Sequence, residues 1–225
     1  MIGIFDSGVG GLCAYNEVRR MLPREDIAYL ADRAHAPYGT KTEDEILAFT
    51  KENIRILRNL GARAVLIACC SASSTYHRLD PNERGISTPI ISPAAALAVK
   101  SGRRIAVIAT NHTIRSSAFG REIALISDAR VIEMAEQRLV ALVELGNRDG
   151  RLDAECRAYL RDMAERIKAA DADVLILGCT HFSHLEGEIG RLLPRVKIIS
   201  PARVGAMELV KKIKPAREKG KSIYI

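Results

Sequence analysis

Tryptophan is missing from this chain of 225 residues, and aromatic side chains make up only 4% of it. Stacking on exposed bases needs such rings, so nucleic-acid binding is not the expected activity. No apolar run is long enough to span a bilayer, and no signal-peptide pattern opens the chain. Both absences lead to the expectation of a reducing cytoplasm and no membrane association, where thiols act as core filler, ligands or nucleophiles rather than staples. No C-x-x-C pair begins a zinc site, so no metal is expected. Neither G-x-G-x-x-G nor a Lys-Ser/Thr P-loop ending is present, and a nucleotide is not indicated.

Apolar residues form 48% of the chain, ample for a sizeable core in one large or two small domains. The net charge is +7, but residues 211–225 hold +5 of it: Lys211, Lys212, Lys214, Arg217, Lys219 and Lys221 against Glu218. Such a tail can attract anionic partners, and reads more simply as a solvated end.

Two stretches share one pattern. Ala64-Val65-Leu66-Ile67-Ala68-Cys69-Cys70-Ser71 and Val174-Leu175-Ile176-Leu177-Gly178-Cys179-Thr180-His181 each run apolar, then small, then cysteine, then small polar. An apolar run of this length between polar helices reads as a buried parallel strand. Each cysteine then stands at a strand's carboxyl end, where open α/β sheets place their ligands. It also precedes a helix start, whose free N–H groups favour a thiolate. Two such thiols at one register suggest a pair facing one pocket.

Along the chain, strands alternate with helices. Strands are expected at 1–5, 27–31, 64–68, 89–91, 105–109, 129–133, 174–178 and 196–199, with an edge strand at 222–225. Helices are expected at 12–22, 42–60, from Cys70 to about 79, from Pro93, after Thr110, at 139–145, 152–169, after Cys179 to 193, and at 202–213. Thr42 with Glu45 forms a capping box. Asp149-Gly150 is a turn. The stripe Leu152, Cys156, Leu160, Met163 and Ile167 makes Cys156 a core residue, and Cys13 reads as core on its amphipathic helix. The expected fold is α/β: two similar domains, each a parallel sheet flanked by helices, with the site in the cleft between them. Residues 1–92 plus 201–225 form the first unit, 93–200 the second.

Six segments in order resemble the glutamate racemase family, within the cofactor-independent aspartate/glutamate racemase superfamily. Ile2-Gly3-Ile4-Phe5-Asp6-Ser7-Gly8-Val9-Gly10-Gly11-Leu12 is similar to its opening motif, and Pro37-Tyr38-Gly39 to its substrate loop. Ala68-Cys69-Cys70-Ser71-Ala72 resembles its A-C-N-T-A, and Ile108-Ala109-Thr110-Asn111-His112-Thr113 its A-T-x-x-T. Leu142-Val143-Glu144 resembles its L-V-E, and Leu177-Gly178-Cys179-Thr180-His181-Phe182 its G-C-T-H-Y. The chain departs from the pattern at four places. Cys70 replaces Asn, Ser71 replaces Thr, Ala135-Glu136-Gln137 lacks the Cys-Pro often found before L-V-E, and Ser183-His184 replaces Pro-Leu. A cysteine cannot supply an amide's donors and acceptor, so the Cys70 departure bears on substrate affinity or identity.

The resemblance implies an amino-acid racemase without cofactor, glutamate favoured, supplying D-glutamate for peptidoglycan and forming a homodimer. Removing a weakly acidic α-proton and returning it on the other face suits two thiols on opposite walls. The implied roles give Cys69 one enantiomer and Cys179 the other, with Asp6 tuning Cys69 and His181 tuning Cys179. Substrate contacts are implied for Asp6, Ser7, Pro37, Tyr38, Gly39, Cys70, Ser71, Thr113, Thr180 and His181. For Cys70 the spacing also allows the opposite, a side chain turned from the cleft into packing, and His112 is a further candidate near the pocket. Rival readings are a racemase of aspartate or another acidic substrate, and a catalytically weak member that binds a ligand or protein through the same cleft.

Overall fold

The computed structural model describes residues 1–146, 152–213 and 220–225, the side chains of 144–146 excepted. The Asp149-Gly150 turn, the Glu144 side chain and residues 214–219 of the lysine-rich tail therefore lie outside the described residues.

The first sheet is built from β1 (Ile2–Asp6), β2 (Ile27–Ala31), β3 (Ala64–Ile67), β4 (Ser87–Pro89) and β9 (Ser222–Tyr224), in the order β4-β3-β1-β2-β9. The second holds β5 (Arg104–Ala109), β6 (Arg130–Ala135), β7 (Val174–Gly178) and β8 (Lys197–Ile199), in the order β6-β5-β7-β8. Every pairing is parallel. This is the expected α/β architecture of two parallel sheets wrapped by helices.

The central strands are buried on both faces, yet they still alternate between two cores. Ile2 and Ile4 of β1, Ile105 and Val107 of β5, and Val174 and Ile176 of β7 all join one shared core. Phe5 faces a second core beneath α2 (Glu43–Asn59), with Ile46, Ile54 and Leu57. Ile108, Leu175 and Leu177 face a third, beneath α8 (Gln137–Gly146) and α9 (Ala154–Ala169). A strand's period of two makes this sorting automatic once both faces are covered. Cys156, fully buried, belongs to the third core.

The shared core also takes in α1 (Leu12–Met21), α5 (Ile91–Ser101) and α11 (Pro201–Lys211). α11 returns from the second sheet to pack on α1, β3 and β4, and it also packs on α5. Gly205 lies so close to Ile90 that a Cβ there would sit 2.2 Å from its Cγ2.

Several expected elements differ locally. The strand at 89–91 lies instead at Ser87–Pro89, because Pro93 falls in the first turn of a helix that already starts at Ile91. The helix after Cys69 is broken into α3 (Cys70–Ser73), a 3-10 turn at Tyr76–Arg78 and α4 (Pro81–Ile86), which carries its own capping box from Asp80 and Glu83. Ser and Thr side chains there bond local carbonyls and compete with the helix: Ser74 Oγ donates to Ser71 O and Thr75 Oγ1 to Ala72 O. The helix after Thr110 is likewise two, α6 (Asn111–Arg115) and α7 (Ala118–Ala124), separated by Ser117 at φ 46°. After Cys179 comes a 3-10 stretch, Thr180–Leu185, before α10 (Glu186–Leu192). The Thr42–Glu45 box stands as read, with Glu45 N–H on Thr42 Oγ1 and Thr42 N–H on Glu45 Oε2.

Candidate active site

Cys69 lies two residues past the end of β3 and forms the N-cap of α3, with extended backbone at φ −79° and ψ 127°. Cys179 directly follows β7, also extended, at φ −144° and ψ 138°. The two thus occupy equivalent ends of two different sheets, and both line one small cavity. The first sheet's side contributes Ser7, Cys69, Cys70 and Ser71, with the loop Pro37, Tyr38 and Gly39. The second contributes Cys179, Thr180 and His181. The cavity is nearly closed: Cys69 is 5% exposed and Cys179 6%.

Two proposed residues stand behind this wall. Asp6 is fully buried, accepting the Gly8 N–H at 2.9 Å and the Thr180 hydroxyl at 3.1 Å. Thr113, also fully buried, closes a ring of hydroxyls. Ser71 Oγ lies 3.1 Å from Thr110 Oγ1 and 3.3 Å from Thr113 Oγ1, and the two threonines are 3.0 Å apart. Thr113 does not itself line the cavity, whereas Thr110, three residues earlier, does. His112 does not line the cavity and bonds Ser74 Oγ at 3.0 Å.

Cys70 does both things allowed for it, lining the cavity while packing in the shared core. Cys13 is half-buried and packs against the shared core. Its thiol donates to Gly10 O at 3.0 Å and reaches Thr180 O at 3.9 Å, so it lies at the seam of the two sheets. That seam is tight at Gly10, where a Cβ would fall 2.6 Å from Thr180 Oγ1 and 2.9 Å from His181 Nδ1.

The electrostatics favour protonated thiols. Burial pushes Cys69 up to about 11, and the negative charge of Asp6 adds to this. N–H groups of Ala72 and Ser7 and the Ser7 hydroxyl, 3.6 Å from the sulfur, pull the other way. Burial likewise pushes Cys179 up, opposed by the His181 backbone N–H and reinforced by charge on Cys69 and Asp6. His181 Nδ1 lies 3.6 Å from the Cys179 sulfur. Cys70 is raised well above its ordinary value, first by burial and then by Cys179 and Cys69. These mutual effects require the three sulfurs to share one low-dielectric volume.

The loop that roofs the cavity is held from below. Tyr38 donates its hydroxyl to Asp32, and Asn53 donates to Tyr38 Oη at 3.0 Å and to Asp32 Oδ2 at 3.3 Å. His35 bonds Asp32 at 2.8 Å and stacks on Phe49 at 3.9 Å between centroids. Gly39 then meets the second sheet: a Cβ would lie 2.5 Å from Gln137 Oε1 and 2.7 Å from Thr110 Cβ.

Thr110, Gln137, Val140 and Gly178 also line the cavity and were not singled out from sequence. Thr110 carried a signal, since it directly follows β5 and caps the next helix. Gln137 sits in the segment that departs from the family's Cys-Pro. Nothing marked Val140 apart from an ordinary core position.

Two parallel sheets thus each carry a thiol just past a buried strand, and both thiols open on one shared cavity. The chain belongs to the Asp/Glu/hydantoin racemase family, whose model matches residues 14–209. It is 38% identical to a glutamate racemase of Gloeobacter violaceus over 96% of this chain and 82% of that protein. Its structure is similar to a glutamate racemase isoform of Bacillus anthracis, with a TM-score of 0.88 and 31% identity, covering 100% of this chain and 87% of the other. A glutamate racemase of Francisella tularensis, solved with D-glutamate, matches with a TM-score of 0.86 and 27% identity over 99% of this chain and 87% of that one. Among the described residues, no helix is long and apolar enough to cross a membrane.

Proposed function

We propose that this chain interconverts L- and D-glutamate, with Cys69 and Cys179 as the two groups that trade a proton with the α-carbon. The observation that carries the reading is the pair of thiols lining one cavity from two different sheets. One sulfur, as thiolate, takes the α-proton. The other, as thiol, returns its own proton to the opposite face, so that the two exchange states in each turnover. Nothing is oxidised or reduced, and no leaving group departs.

Burial makes both thiols resist ionisation. The substrate's ammonium group is the cation that brings one of them down, because an opposite charge close by favours the charged form. Binding and activation are then one event. The developing negative charge on the substrate needs donors fixed in advance. Ser7 supplies a hydroxyl, and backbone N–H groups after each cysteine supply further donors. Asp6 acts from behind, anchoring Thr180 and opposing thiolate formation at Cys69 until substrate is present.

D-glutamate for peptidoglycan, a homodimeric assembly, a cytoplasmic setting and units at 1–92 plus 201–225 and 93–200 complete the proposal. Cys70 in the wall favours a second reading, in which aspartate or another acid is preferred. The test is α-proton exchange in deuterium oxide with each L-amino acid, followed by optical rotation. Exchange with glutamate alone supports the first reading, and exchange with another acid alone supports the second. No exchange with any acid removes the catalytic reading.

A further inference from the structure

We infer that Gln137 donates its side-chain N–H pair to a carboxylate of the bound substrate and thereby sets affinity for acidic amino acids. The inference rests on the racemase reading above and names a residue that reading did not use.

Gln137 opens α8, and the residue before it is firmly held. Glu136 is 1% exposed, with Oε1 accepting from Arg166 Nη1 at 2.8 Å and Oε2 from the Tyr159 hydroxyl at 2.5 Å. Its backbone N–H donates to Ala109 O at 2.8 Å, at the very end of β5. A carboxylate pinned in this way fixes where α8 begins and hence where Gln137 projects. The amide's orientation follows from its one bond. The Asn111 N–H donates to it at 3.2 Å, and only the oxygen can accept. The nitrogen, with two donors, has no protein partner among the described residues, and the side chain lines the cavity.

The rest of the wall explains why those donors matter. Among the described residues, no lysine or arginine lines the cavity, and Gln137 is the one side-chain amide that does. The Ser71 and Thr110 hydroxyls are already engaged with each other and with Thr113. Cys70 offers only a weak S–H donor. A substrate with two carboxylates therefore meets few free side-chain donors on this wall unless Gln137 serves one of them.

The test compares wild type with Gln137→Glu and Gln137→Met. Gln137→Glu keeps the length and the acceptor for Asn111 but loses both donors and repels an anion. Gln137→Met loses the donors without adding charge. The expected result is a rise in KM for the racemised acid of roughly tenfold to a hundredfold for Glu, less for Met, with kcat within about threefold. Adding Cys70→Asn to Gln137→Met is expected to restore part of the lost affinity by returning an amide to the wall. Circular dichroism and melting of each variant separate misfolding from lost contact. A KM within about twofold of wild type in both folded variants overturns the inference and leaves the racemase reading standing. If wild type exchanges no α-proton, the racemase reading falls, and thermal protection by glutamate decides this inference. Protection lost in Gln137→Glu supports it, and protection unchanged or absent in wild type overturns it.

Discussion

The hydroxyl of Thr180 donates to the buried carboxylate of Asp6 at 3.1 Å, joining the turn after Cys179 to the strand beside Cys69. One charge thus sits behind both thiols and pushes both toward the neutral form, after burial itself.

Replacing that charge is the direct probe of its effect. Cys69 is held up to about 11, so its alkylation by a small reagent should climb about tenfold per pH unit through pH 9 without a plateau near 8.5. Asp6→Asn keeps acceptors for the Gly8 N–H and the Thr180 hydroxyl but removes the charge. The expected outcome is severalfold faster labelling of Cys69 at fixed pH together with a loss of turnover, read by mass spectrometry and optical rotation. Equal labelling rates would show that burial alone governs the thiol.

The same shift bears on stability. Folding raises Cys69 from 9.0 to about 11 and Cys13 from 9.0 to about 12. Below pH 9 both are neutral in either state and the fold keeps its full stability. Above it, the unfolded chain loses these protons while the folded one retains them. Each such thiol should cost about 1.4 kcal/mol per pH unit until its folded value is reached. Melting temperatures in reductant should therefore fall between pH 9 and 10.5. A flat profile across that window contradicts the assignment.

Cys70→Asn returns to the cavity wall the amide that the family pattern carries there. Folding should be retained, and glutamate turnover should rise severalfold, measured by steady-state racemisation. A fall instead would assign Cys70 a role of its own beside Cys69 and Cys179.

Gly39 touches Gln137 and Thr110 with no room for a methyl group. Gly39→Ala should hold the Tyr38 loop away from the second sheet. We expect kcat/KM to drop by roughly tenfold to a hundredfold, with the melting temperature within a few degrees of wild type. Undiminished activity would mean that the loop's close approach is not needed for chemistry.

Much of this was legible from residue patterns. The apolar runs ending in Cys69 and Cys179 located the central strands, because strands buried on both faces tolerate little else. Thr42 with Glu45 announced its helix start by capping chemistry alone. The stretches after the cysteines were misread as plain helices because periodicity does not report the side-chain bonds of Ser74 and Thr75, or the left-handed turn at Ser117. At the site, short motifs displayed the residues that line the cavity from strand ends. They did not separate Thr110, which lines the cavity, from Thr113, which bonds it from outside the lining. Gln137 was hidden for a different reason: its place depends on Glu136, Tyr159 and Arg166, which meet only after folding.

The polypeptide passes between the sheets twice, first into α5 and later back through α11, and these two helices lie against each other with Gly205 pressed on Ile90. Paired crossings make a spine. A spine of two strands of chain resists twisting far better than a single tether would. Parting the two sheets would therefore mean pulling α5 off α11 as well, not merely stretching one connection.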